Sequence, residues 1–326
     1  MEKWNDGPEE EDALFSPQYS NTPTPHYPNP IAMIPKEILQ KVRRIHIRTK
    51  HMVNDVFAGE YHSIFKGQGM EFQEVREYVP GDEIRSIDWN VTARMGHPFV
   101  KVLTEERELT VMLLVDISAS NLFGSSAQLK KDLAAEIAAV LALAAVTNND
   151  RVGLILFSED VETYIPPRKG IAHVLRVIRE VLYFKGRHRG TRMAPALDFL
   201  NHVCSRRSVA FLISDFLLDE DITRPLRITA RRHDTIAVTI QDKRERAWPA
   251  VGVVDWMDLE TGRRLLVDTS DRATRRVFSE LETERRERTR DMLKSTGVDC
   301  IAVNAGEPYE RELVRFFKMR ERRFRR

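Results

Sequence analysis

Apolar residues along the chain fall into two patterns. Residues 110–115 (TVMLLV), 152–157 (VGLILF), 208–214 (SVAFLIS) and 234–240 (DTIAVTI) are short continuous apolar runs, as expected of strands covered on both faces. Residues 127–146 are rich in Ala and Leu and predict a helix, as do 171–182, 193–203 and 219–232. A short strand at 161–165 stands beside the second run. Residues 252–258 and 263–267 flank Glu260-Thr261-Gly262, which predicts a hairpin. A charged helix over 272–294, a core strand over 298–303 and a final helix over 308–323 complete the series. Alternating strands and helices with apolar strands predict an α/β fold. Its sheet is doubly wound, mostly parallel and covered on both faces.

Upstream the pattern is weaker. Ile38, Val42, Ile45, Met52 and Val56 keep helical spacing over 36–57, with Pro35 suited to a first helical position. Residues 61–98 are rich in Gly, Pro and charge and predict loops and short strands. Residues 99–107 alternate like a half-exposed strand, so the N-terminal segment is expected to be irregular and β-rich. Seven of the 15 prolines lie in residues 1–35, with few periodic apolar positions, as in a disordered tail. The chain divides into that tail (1–35), a helix and following segment (36–108), the α/β domain (109–303) and a C-terminal helix (304–326).

Charge changes this picture in one respect. The 326 residues carry 51 Lys and Arg against 49 Asp and Glu, a net of +2, which excludes nucleic-acid binding by bulk charge. The balance hides a polarity: residues 1–12 hold six acids and one Lys, and residues 315–326 hold seven basic residues and one acid. In the final helix Leu313, Phe316, Phe317 and Arg320 share a face. That predicts a docked helix with a solvated basic side; the alternative is a contact for an acidic partner, a membrane surface or RNA. Cys204 and Cys300 form no CxxC pair, which argues against a disulfide framework and a zinc cluster. No signal peptide is recognised, and the longest apolar stretch, 137–146, is short of the roughly 20 residues that span a bilayer. A cytoplasmic protein is expected.

In an open α/β sheet ligands bind beyond the carboxyl ends of the strands, at a topological switch point. After 110–115 comes Asp116-Ile117-Ser118-Ala119-Ser120, after 208–214 comes Asp215, and Thr191 precedes the helix before that strand. All five side chains offer hard oxygen ligands, a set suited to Mg²⁺ or Mn²⁺ rather than zinc or copper. The alternative is that Asp116 and Asp215 are loop caps. D-x-S-x-S with Thr191 and Asp215 resembles the metal-ion-dependent adhesion site of von Willebrand factor A domains. The resemblance implies that Asp116, Ser118 and Ser120 bind the ion directly or through water, that Thr191 and Asp215 complete the site, and that the ion captures an acidic residue of a partner.

A second box lies upstream. Gly69, Glu71, Phe72, Arg76, Tyr78, Pro80-Gly81-Asp82, Arg85, Ile87-Asp88-Trp89 and Thr92-Ala93-Arg94 are similar to the signature of bacterial domain-of-unknown-function family fifty-eight. That resemblance implies a von Willebrand A-like region beside the box and a MoxR-type AAA+ ATPase as partner. The residues themselves suggest an ion-pair network of Arg76, Arg85 and Arg94 with Glu71, Asp82 and Asp88, anchored on the sheet by Tyr78 and Trp89. The alternative is a docking surface.

The chain lacks G-x-x-x-x-G-K-[ST], G-x-S-x-G and H-E-x-x-H. The reading that follows is a Mg²⁺-dependent protein-binding module, an adaptor or co-chaperone of the ATPase, and no enzyme. Two alternatives stand beside it. One is a metal-dependent hydrolase using Asp116 and Asp215, for which no further converging carboxylates and no His or Lys for proton transfer are found. The other is nucleic-acid binding through the C-terminal helix.

Overall fold

A computed structural model describes residues 71–104, 108–125 and 129–324. The tail of 1–35, the helix of 36–57 and Gly69 of the box lie outside the described residues, as do the side chains of Glu71 and Phe72.

The predicted sheet forms. Strands β3 (Thr110–Asp116), β4 (Arg151–Phe157), β5 (Val161–Arg168), β6 (Val209–Ser214), β7 (Asp234–Gln241) and β10 (Asp299–Asn304) make one six-stranded sheet in the order β10-β7-β6-β3-β4-β5. Every pairing is parallel except that of β5, which returns antiparallel along β4. The chain leaves β3 toward one edge and comes back through β6 to the other. This is the doubly wound order, with its switch point between β3 and β6.

Alternation along the strands builds two cores. Val111, Leu113 and Val115 of β3 face Ile137, Val140 and Leu141 of α2 (Lys130–Thr147), Val174 and Val177 of α3 (Ile171–Tyr183), and Leu313 and Phe317 of α8 (Tyr309–Phe324). Met112 and Leu114 face the other way, toward Leu197 and Leu200 of α4 (Ala194–Val203), Leu226 of α5 (Thr223–Arg232) and Leu293 of α7 (Arg272–Thr296). Helix α2 is apolar on nearly every side because it is buried on nearly every side. Each fully buried Leu, Ile or Val contributes about 1.5–3 kcal/mol of burial free energy.

The final helix docks as expected. Leu313, Phe316 and Phe317 enter the first core, and Arg320 is buried between Asp234 at 2.6 Å and Asp299 at 3.0 Å. Arg323 also pairs with Asp299, at 2.9 Å. Part of the basic charge is therefore neutralised inside the fold, which weakens the nucleic-acid alternative.

The box folds into strands β1 (Glu71–Glu77) and β2 (Phe99–Thr104), paired antiparallel, with helix α1 (Trp89–Met95) between them. The loops and short strands expected over 61–98 thus include a helix. Asp88 caps its start, accepting from the Asn90 and Val91 amides, and Gly96 ends it at φ 78°. Arg76 forks onto Asp82 at 2.6 and 2.7 Å, as the ion-pair reading expects. Trp89 is 65% exposed, so it does not anchor the segment; the first turn of α1 points it outward. Tyr78 is half-buried, and Arg85 and Arg94 are exposed.

Strands β8 (Val253–Met257) and β9 (Arg264–Asp268) form the predicted hairpin, a two-stranded sheet of its own. The polar break before it holds a short helix, α6 (Lys243–Arg246), closed by a capping box between Asp242 and Glu245. Among the described residues no helix is long and apolar enough to cross a membrane.

Candidate functional site

Asp116 ends β3 and Asp215 follows β6, so the sheet order sets them side by side at the switch point. Each aspartate uses one oxygen to cap its own loop: Asp116 Oδ1 accepts from the Ser118 amide at 2.9 Å, and Asp215 Oδ1 from the Leu217 amide at 3.1 Å. The loop-cap alternative therefore holds for one oxygen of each. The other oxygens accept from side chains. Asp116 Oδ2 accepts from Ser214 Oγ at 2.6 Å, and Asp215 Oδ2 from Lys130 Nζ at 2.6 Å. Phe216 turns the chain sharply here with φ 56°, a conformation that costs a non-glycine residue roughly 1–2 kcal/mol.

Ser118 and Ser120 stand together, their hydroxyls 3.0 Å apart. Asn121 Nδ2 donates to Ser118 Oγ at 3.3 Å. The Thr191 loop is tied in by two backbone bonds, Ala119 N to Arg189 O at 2.9 Å and Arg192 N to Ser158 O at 2.8 Å. Glu162, its side chain withdrawn from solvent, braces the same loop by accepting from the Arg187 and His188 amides. Asp116, Ser118, Ser120, Thr191 and Asp215 are all buried.

Burial and the neighbouring Asp215 charge push the Asp116 carboxyl up to about 7. A divalent cation would relieve both causes. The donor set fits one: neighbouring vertices of a Mg²⁺ octahedron lie about 2.9 Å apart, close to the Ser118–Ser120 spacing. Among the described residues no group of three or more His, Cys, Asp and Glu is arranged to hold a metal, so a site here depends on the hydroxyls.

The sequence reading missed three side chains. Lys130, the first residue of α2, is fully buried and bridges Asp215 and Glu245, both at 2.6 Å. Burial opposes its charge, but the two carboxylates outweigh that and hold its ammonium above the usual lysine range. Glu245 is held up by burial, with Lys130 opposing. Glu260, at the hairpin tip, accepts from Thr191 Oγ1 at 2.7 Å. Burial raises its carboxyl, while hydrogen bonds from Thr191 and Ser120 oppose the shift. Extra carboxylates and a lysine thus do converge, contrary to expectation. Lys130 is locked between two anions, however, which does not suit it to proton transfer. Asp242 and Glu245 lie just past β7, so the strand-end rule extended to that strand would have found them. Glu260 gave no signal beyond a turn.

Residues 74–288 match the family described as "Protein of unknown function DUF58". The uncharacterized protein Rv1480 of Mycobacterium tuberculosis is 32% identical over 285 residues, covering 86% of this chain and 89% of its own. The uncharacterized protein Mb1516 of Mycobacterium bovis matches to the same extent, 32% over 285 residues. Among solved structures, the conserved hypothetical protein BatB from Bacteroides thetaiotaomicron aligns at 13% identity over 66% of this chain and 99% of its own, with a TM-score of 0.45. The SpRpn10 VWA domain aligns at 10% identity over 64% of this chain and 94% of its own, with a TM-score of 0.37.

Proposed function

We propose that this chain, which belongs to the DUF58 family, is a divalent-cation-dependent protein-binding module. The reading is supported by the neighbouring strand ends that carry Asp116 and Asp215, by the paired Ser118 and Ser120 hydroxyls that follow Asp116, and by the backbone bond that ties the Thr191 loop to Ala119. Asp116, Ser118, Ser120, Thr191 and Asp215 would hold Mg²⁺ or Mn²⁺. When bound, the ion supplies a Lewis-acidic position for a carboxylate of a partner. The chain's own groups do the positioning. Ser214 orients Asp116, Lys130 fixes Asp215, and the Thr191 loop is braced from the end of β4.

The resemblance of the 69–94 box makes a MoxR-type AAA+ ATPase, or its client, the proposed partner, with this chain as adaptor or co-chaperone. A cytoplasmic setting belongs to the same reading, supported by free Cys204 and Cys300. Pull-down of the ATPase by the full chain tests it. Capture should depend on Mg²⁺, vanish in EDTA and vanish with Asp116→Ala, whose fold is checked by circular dichroism. Capture unchanged in EDTA would overturn the reading.

A further inference from the structure

Glu260 reaches the site from a separate two-stranded sheet, 69 residues along the chain from Thr191. Its carboxylate accepts from Thr191 Oγ1 at 2.7 Å, so it contacts one of the five site residues directly. The tip that carries it is well built. Asp258 accepts from the Glu260 amide at 2.9 Å, and Gly262 closes the turn at φ 71°. The hairpin is pinned above the site by Trp256, whose ring lies 6.2 Å from Phe123, in the loop that follows Ser120. Trp256 also packs on Trp248 at 5.0 Å.

We propose that Glu260 is an in-chain carboxylate ligand of the site, occupying the position that a partner's carboxylate must take. The Thr191–Glu260 separation matches the roughly 2.9 Å between adjacent ligands of one Mg²⁺ ion. Partner capture then requires the β8–β9 hairpin to withdraw Glu260. The inference rests on the metal-site reading and adds to it a resident competitor.

The test uses the full chain with Mn²⁺ as probe, comparing wild type, Glu260→Ala and Asp116→Ala. Mn²⁺ affinity is read by calorimetry, and the waters on the bound ion by proton relaxation. Glu260→Ala should bind Mn²⁺ about tenfold more weakly and carry roughly one additional water. Acetate should remove that water in the variant and leave wild type unchanged. If Asp116→Ala abolishes Mn²⁺ binding while Glu260→Ala matches wild type in affinity and hydration, the inference fails and the metal site stands. If wild type binds no Mn²⁺, both fail.

Discussion

Lys130 is fully buried between the buried Asp215 and the half-buried Glu245, so removing the amine would leave two carboxylates facing each other, one of them out of water. Breaking a buried pair by deleting one partner costs about 3–5 kcal/mol. Lys130→Met should destabilise the protein by that amount in urea unfolding. His233 makes a second prediction. It is buried, and burial with the nearby Arg232 and Arg207 charges pushes it down to about 4. The unfolded chain therefore binds a proton below about 6.5 that the folded chain refuses until about 4. The stability from this group is complete above pH 6.5 and is lost as pH falls toward 4, by about 1.4 kcal/mol per unit. His233→Asn should flatten that loss relative to wild type when unfolding is compared at pH 7 and pH 5.

At the scale of elements, α8 tests whether the basic end is a tail or part of the core. Phe317 is fully buried against the first core, so Phe317→Ala should cost about 3–5 kcal/mol in chemical denaturation. A loss within about 0.5 kcal/mol, as for a surface position, would contradict the docking. The elements also show what a sequence conceals. The inner strands β3, β4, β6 and β7 were legible because burial on both faces leaves unbroken apolar runs. Helix α1 was not, because seven residues give too little period. Its Asp88 cap and Gly96 stop were nevertheless present in the sequence.

For the whole molecule, a cation bound only by the folded state stabilises it by an amount that grows with the logarithm of the free ion concentration relative to Kd. At a free Mg²⁺ concentration of about 100 times Kd the gain is about 2.7 kcal/mol. That should raise Tm by roughly 4–5 °C in thermal scans, and Asp116→Ala should abolish the rise.

The sequence by itself determined the α/β alternation, the strand ends and the residue types gathered there, because periodicity and strand-end position are local properties. It also exposed the charge polarity of the two ends. Only the tertiary structure decided that Lys130 neutralises Asp215, that Arg320 is consumed by Asp234 and Asp299, and that Glu260 meets Thr191. Those contacts join residues tens of positions apart. Which charges meet depends on how the chain returns through the sheet, and no local pattern records that.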